Sequence, residues 1–184
     1  PIVKSLTQSN MIDRLGEIYG VSIVTTEVGF KYLGPTMMRE NAIAAGEESG
    51  GYAFRGHIPE RDGLLSALLF LELMVKTKTP ASKLGEWLQT IVGPHHFERI
   101  DITIDPSQTI PTLEQMVNRA PEQFGGLQLE EIDTKDGIRF VLEHGFWGLI
   151  RPSGTEPVLR LYAEAETPAR VKLLLESLES IAKV

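Results

Sequence analysis

The stretch Arg151-Pro152-Ser153-Gly154-Thr155-Glu156-Pro157 sets an arginine, two hydroxyls and a glycine between two segments that read as strands. That inventory suits a phosphate. A guanidinium grips phosphate oxygens in a two-pronged fashion, and the Ser153 and Thr155 hydroxyls add donors. Gly154 lets successive backbone N–H groups approach an anion as a nest. Pro152 and Pro157 stiffen the loop ends, which lowers the ordering cost of binding. The same residues also make a tight turn rich in turn formers, and chemistry alone leaves both readings open. A second loop, Gly46-Glu47-Glu48-Ser49-Gly50-Gly51, places two carboxylates and a hydroxyl between glycines. Ionised carboxylates accept hydrogen bonds, so the loop could hold neighbouring hydroxyls of a sugar; it equally reads as a solvated acidic loop. It offers too few ligands for a metal site. Lys31, in Gly29-Phe30-Lys31, follows a strand-like segment, and Arg55, His57 and Arg61 come a few residues after the acidic loop. Singly these are ordinary solvent-facing cations; together they could line one cleft. His95-His96 reads as a linker pair, because no third ligand of suitable spacing accompanies it.

The elements that must carry these loops fall into two halves. In the first, Ile2–Leu6 reads as a strand, and Ser9 opens a helix whose Met11, Ile12, Leu15 and Ile18 follow helical spacing. Gly20 stops it. A β-rich segment, 21–26, is followed by a short helix over Pro35–Glu40 and a small strand over Ala42–Ala45. This βαβ patterning predicts a mixed sheet with parallel strands and covering helices. Two helices follow, Gly63–Lys78 and one opened by Pro80. The apolar run Leu64–Val75 is too short for a membrane span of about 20 residues and predicts a helix buried on most sides. Beyond Gly93-Pro94 the pattern turns strand-rich: Phe97–Ile104, Leu129–Asp133, Ile138–Glu143, Phe146–Arg151 and Pro157–Ala165, with a helix near Thr112–Arg119. Asp136-Gly137 marks a hairpin turn. A last helix from Pro168 lines Val171, Leu174, Leu175, Leu178, Ile181 and Ala182 on one face. The expectation is an α/β domain over 1–94 and a smaller α+β domain over 95–184, with an antiparallel sheet backed by helices.

Composition narrows the function classes. With 42% hydrophobic residues the chain has material for a core, and with no cysteine it has neither disulfides nor Cys-based zinc sites. A net charge of −7 without a basic run argues against nucleic acid as a partner. No Asn-x-Ser/Thr sequon is present, and no signal peptide or membrane segment is read, so a cytoplasmic protein is expected.

Taken in order, Gly29-Phe30-Lys31, Gly46-Glu47-Glu48-Ser49-Gly50-Gly51, His57-Ile58-Pro59-Glu60-Arg61-Asp62-Gly63 and Arg151-Pro152-Ser153-Gly154-Thr155-Glu156-Pro157 resemble the α-D-phosphohexomutases of the phosphoglucomutase/phosphomannomutase kind. The resemblance spans essentially the whole chain and covers the last two of that family's four domains. It implies that Glu47 and Ser49 bond the sugar hydroxyls, with Lys31, His57 and Arg61 at the cleft wall. It implies that Arg151, Ser153, Gly154, Thr155 and Arg160 hold the phosphate that is not being transferred, and that Glu48 and its glycines favour glucose over mannose phosphates. The implied reaction moves a phosphoryl group between O1 and O6 of a hexose phosphate, through a phosphoserine and a hexose 1,6-bisphosphate. The family's serine loop and its magnesium loop are both missing, so no catalytic residue and no metal ligand is expected in this chain. Mg2+ and the missing N-terminal domains are expected of the full-length enzyme. The alternatives are a non-catalytic sugar-phosphate binding module and a fragment of a phosphoglucosamine mutase.

Overall fold

The computed structural model describes residues 1–104, 111–154 and 156–182. The chain divides into two compact units, Pro1–Gly93 and Pro94–Val184.

The first unit is built on a four-stranded sheet in the order β2-β1-β3-β4, formed by β1 (Ile2–Ser5), β2 (Ile23–Thr26), β3 (Ala44–Gly46) and β4 (Tyr52–Phe54). β1 is parallel to β2 and to β3, and β4 adds an antiparallel edge. The crossovers from β1 to β2 and from β2 to β3 run in opposite directions. Right-handed connections therefore put α1 (Met11–Tyr19) and α2 (Phe30–Arg39) on opposite faces. Val3 and Lys4, neighbours on the central strand, show this directly. Val3 packs with Phe30, Leu33 and Met37 of α2, while Lys4, 1% exposed, pairs with Asp13 of α1 and bonds Asn10 Oδ1 at 2.8 Å. A lysine this deep is tolerable only when paired. Gly20, at φ 64°, ends α1 in the left-handed conformation that lacks a steric penalty for glycine.

Two expectations change. α2 begins at Phe30, not at Pro35, because Phe30, Leu33 and Met37 lie one turn and two turns apart on the face that meets Val3 and Ala45. That packing outweighs the backbone hydrogen bond that Pro35 cannot donate inside the helix. α3 (Gly63–Thr77), read as buried on most sides, has no fully buried residue. Leu64, Leu68, Leu71 and Val75 form an exposed stripe along it. α4 (Ala81–Val92) closes the unit with Leu84 buried. No helix among the described residues is long and apolar enough to cross a membrane.

The second unit is a six-stranded sheet in the order β5-β10-β9-β8-β7-β6, antiparallel throughout. Its strands are β5 (His96–Thr103), β6 (Gln123–Phe124), β7 (Leu127–Asp133), β8 (Ile138–Leu142), β9 (Trp147–Pro152) and β10 (Val158–Ala165). α6 (Pro168–Ala182) lays Val171, Leu174, Leu175, Leu178, Ile181 and Ala182 against Phe140, Ile150 and Leu161. The short helix α5 (Leu113–Asn118) starts with a capping box between Thr112 and Gln115. His95 is not a free linker residue: its ring lies 5.7 Å from Phe146, and Nε2 is 3.9 Å from the buried Glu164 carboxylate.

Candidate functional site

In the first unit, Lys31 and Glu47 both follow the carboxyl ends of parallel strands, β2 and β3. In open α/β sheets ligands commonly bind beyond the carboxyl ends of the strands, in the crevice where the strand order reverses, which here lies between β1 and β3. The acidic loop is closed on itself by Glu47 N donating to Gly51 O at 3.0 Å and Gly50 N donating to Glu47 O at 3.1 Å. Gly50 takes φ 92°, which a side chain would strain. The result buries Glu47 to 4% exposure and leaves Ser49 exposed.

Arg61 is drawn to this loop. Its guanidinium lies 5.3 Å from the centre of the Phe30 ring, and Nη1 is 4.0 Å from Glu47 Oε2. Gly51 makes room for it, since a Cβ there would stand 2.5 Å from Arg61 Cδ. The neighbouring groups are ionised by local hydrogen bonds. Glu60 is held below its usual pKa, chiefly by the Arg61 backbone N–H and then by its side chain. Asp62 is lowered chiefly by the Leu65 N–H it caps at the start of α3, and then by His57 Nε2 at 2.8 Å.

Glu47, Arg61 and Phe30 are thus brought together, with His57 one step away through Asp62. Lys31 stands apart from them. It lies in the first turn of α2, its Nζ 4.9 Å from the Tyr32 ring, beside a polar groove of about 370 Å³ lined by Thr25, Thr26 and Arg39. Arg55 turns away, donating to Asn41 O at 3.2 Å. Phe30 is not singled out by the sequence reading, which starts the helix at Pro35 and takes Phe30 only as the neighbour of Lys31. The cue lay in its position beside Lys31 within the same short motif.

In the second unit, the β9–β10 hairpin carries the other loop. Ser153 N donates to Val158 O at 2.9 Å and closes it. Arg151 and Arg160 are directly opposed across the two strands, so both side chains share one face of the sheet. Arg151 Nε bonds Asp136 Oδ1 at 2.9 Å. Arg160 reaches Glu156 at 2.9 Å and Asp101 at 3.7 Å. Gly154 is exposed with open space where a Cβ would stand, and Thr155 lies outside the described residues. Two guanidiniums side by side at a loop with a serine and an unencumbered glycine are chemically fitted to a dianion. Among the described residues, no group of three or more His, Asp or Glu side chains is placed to hold a metal ion.

Comparison with known proteins agrees with this pair of units. Residues 1–91 match the phosphoglucomutase/phosphomannomutase α/β/α domain III, and residues 108–180 match the phosphoglucomutase/phosphomannomutase C-terminal domain. The chain belongs to the phosphoglucomutase/phosphomannomutase family and spans these two of its domains. It is 27% identical over 182 residues to a phosphoglucosamine/phosphogalactosamine mutase of Sulfurisphaera tokodaii, covering 99% of this chain and 38% of that one. A solved protein of Thermus thermophilus, described as a candidate phosphomannomutase, superposes with a TM-score of 0.77 at 31% identity. The likeness covers 98% of this chain and 36% of that one. The Aspergillus fumigatus N-acetylphosphoglucosamine mutase, solved with GlcNAc-6P and magnesium, shares the fold at a TM-score of 0.60 and 15% identity, over 99% of this chain and 41% of its own. The chain therefore spans little more than a third of the length of the relatives it matches.

Proposed function

We propose that this chain supplies the sugar- and phosphate-recognising groups of a phosphohexomutase that interconverts hexose 1-phosphate and hexose 6-phosphate. The observation that carries the reading is the Arg151–Arg160 pair, set side by side at the mouth of a loop that also offers Ser153 and Gly154. In this reading Arg151, Arg160, Ser153, Gly154 and Thr155 hold the phosphate that stays on the sugar. Glu47 accepts hydrogen bonds from sugar hydroxyls and Ser49 exchanges them, while Arg61, braced on Phe30, stands beside Glu47 and holds it in place. His57 and Lys31 contribute to the rim. Division of the chain at 94/95 into a sugar-binding and a phosphate-binding domain follows from the same assignment.

In the parent enzyme, a phosphoserine outside this chain donates its phosphoryl group to the free hydroxyl of the substrate, giving a hexose 1,6-bisphosphate. The bisphosphate turns round, and the serine takes back the other phosphoryl group. The recognition groups must therefore serve two orientations, which a charge-and-hydroxyl reader of phosphate does without a new contact set. Magnesium, when bound, offsets charge on the transferring phosphoryl group. The donor set of the described residues does not fit it, so its ligands are assigned to the rest of the parent protein. A cytoplasmic location accords with such a substrate.

Glucose phosphate is the proposed substrate, on the Glu48 loop and its glycines, with mannose phosphate as the near variant. The kinship with a phosphoglucosamine/phosphogalactosamine mutase keeps glucosamine phosphate as the second reading. Calorimetric titration of the chain with glucose, mannose and glucosamine 6-phosphates tests both. Binding that is lost in Arg151→Ala and ordered glucose first supports the proposal. Glucosamine 6-phosphate binding tightest selects the second reading. Wild-type affinity in Arg151→Ala refutes the phosphate assignment.

A further inference from the structure

Across the loop end of the second sheet, four charged side chains stand in a row. The register places Asp101 of β5 opposite Arg160 of β10, and Arg160 opposite Arg151 of β9. Arg160 Nε lies 3.7 Å from Asp101 Oδ2, and Arg151 Nε lies 2.9 Å from Asp136 Oδ1. Two arginines in the middle, which repel each other as directly opposed like charges do, are each paired with an acid on the outer side. The two pairings differ in quality. Arg160 divides itself between Asp101 and the exposed Glu156. Arg151 makes one short bond to Asp136, and both partners are mostly shielded, at 15% and 21% exposure.

Asp136 sits in the turn between β7 and β8, and that turn is fitted to Arg151. Lys135 N donates to Asp133 Oδ1 at 3.0 Å, which fixes the start of the turn. Gly137 takes φ 92°, and a Cβ on it would stand 2.5 Å from Ile150 O and 3.1 Å from Arg151 Cβ. Only glycine allows the turn so close to the arginine's own backbone. The sequence pair Asp136-Gly137, which reads as an ordinary hairpin signal, thus has a second consequence: it delivers a carboxylate to the Nε edge of Arg151.

We propose that Asp136 is a positioning residue for the phosphate-binding Arg151. It holds the guanidinium through Nε and leaves the other N–H donors for the ligand. The inference rests on the reading of Arg151 as a phosphate ligand. Its physical content is a contest of two effects with opposite signs. A carboxylate beside a cation weakens the attraction that an incoming phosphate feels, so charge alone says that removing Asp136 tightens binding. A long, flexible side chain that must be ordered at the moment of binding loses affinity, so positioning says that removing Asp136 weakens it. A short, shielded bond to a rigid turn is the arrangement in which positioning prevails.

The test titrates the chain and each variant with inorganic phosphate and with glucose 6-phosphate by calorimetry, and follows the Arg151 Nε–Hε resonance by NMR in every variant that keeps Arg151. Asp136→Ala is expected to weaken binding about tenfold, equivalent to ~1.4 kcal/mol, although it makes the protein less acidic. Asp136→Asn keeps an acceptor oxygen and is expected to restore affinity to within about twofold of the wild type. Gly137→Ala leaves every charge unchanged, pushes the turn off β9 and is expected to weaken binding as well. It decides the matter should Asp136→Ala fail to fold. Unchanged or tighter binding in Asp136→Ala or Gly137→Ala, with Arg151→Ala still impaired, overturns the positioning role and leaves the phosphate site standing. Equal losses in Asp136→Asn and Asp136→Ala also overturn it, because geometry would then not be what the carboxylate supplies. Wild-type affinity in Arg151→Ala removes the phosphate assignment and this inference together.

Discussion

The exposed stripe on α3 allows a sharp test of where the first unit keeps its stability. Full burial of a leucine or valine side chain is worth about 1.5–3 kcal/mol. Leu64 is 83% exposed and Val75 76% exposed, so only about a fifth of that value, ~0.3–0.6 kcal/mol, is realised at each. The two positions are about three helical turns apart on one helix, so their effects add. Leu64→Gln with Val75→Gln should therefore cost no more than ~1 kcal/mol, since glutamine is also a good helix former. Leu84→Ala, at a 7% exposed position of α4, should cost about 2–5 kcal/mol. Urea unfolding followed by fluorescence measures both. Trp87 of α4 reports on the first unit, while the other tryptophan, Trp147, belongs to the second. A double-variant loss above about 3 kcal/mol, matching Leu84→Ala, would show that the stripe is covered within this chain and that the area argument fails. In a longer protein that covers α3, the same double variant should approach the full burial value.

Other perturbations separate the two loops. Arg151→Ala should weaken hexose 6-phosphate binding more than Glu47→Ala, because both bonds are charge-assisted but only the arginine meets a fully charged partner, the phosphate, where the carboxylate meets neutral hydroxyls; calorimetry showing the reverse order contradicts the assignment. Asp62→Ala should lower the thermal midpoint through loss of the α3 cap, and Asp62→Asn should recover most of it. Because the Asp62 pKa is lowered on folding, its contribution is complete above the ordinary aspartate range and is lost as pH falls through the lowered value. The wild type's advantage over Asp62→Ala should accordingly be flat near neutrality and vanish in acid. Finally, the purified chain should show no conversion of glucose 1-phosphate to glucose 6-phosphate with magnesium and the bisphosphate present. Turnover that survives repurification and disappears in Ser49→Ala or Ser153→Ala would require a nucleophile within these residues.

Elements stabilised by their own pattern were legible in the sequence. The six apolar positions of α6 follow a helical stripe, and all six are buried. β5 alternates strongly enough to be read, and Gly20 marks the end of α1. Elements stabilised by a neighbour were not. β4 and β6 have three and two residues, too few for a period to appear. The start of α2 depended on a packing surface contributed by β1 and β3, which local sequence does not reveal. For α3 the failure was of another kind: an apolar run identifies a helix but says nothing about what stands against it.

The same distinction governs the site. The two loops proposed as the site were readable as candidates, because polar and charged residues cluster there in short segments between strands. How each group is held was not. Arg151 and Asp136 are separated by fifteen residues in the chain, and they meet because β8 and β9 pair in one register. A slip of one residue would send Arg151 to the opposite face and take it away from Asp136. Arg61 lies over Phe30 for a comparable reason: Gly51 leaves the space its side chain occupies. In both loops the proposed ligand-binding group comes from one segment, the side chain against it from another, and a glycine sets the distance between them. Substituting the glycine should therefore impair function without touching a ligand, and the effect should be larger at Gly137, where the obstacle is backbone, than at Gly51, where it is the flexible end of an exposed arginine.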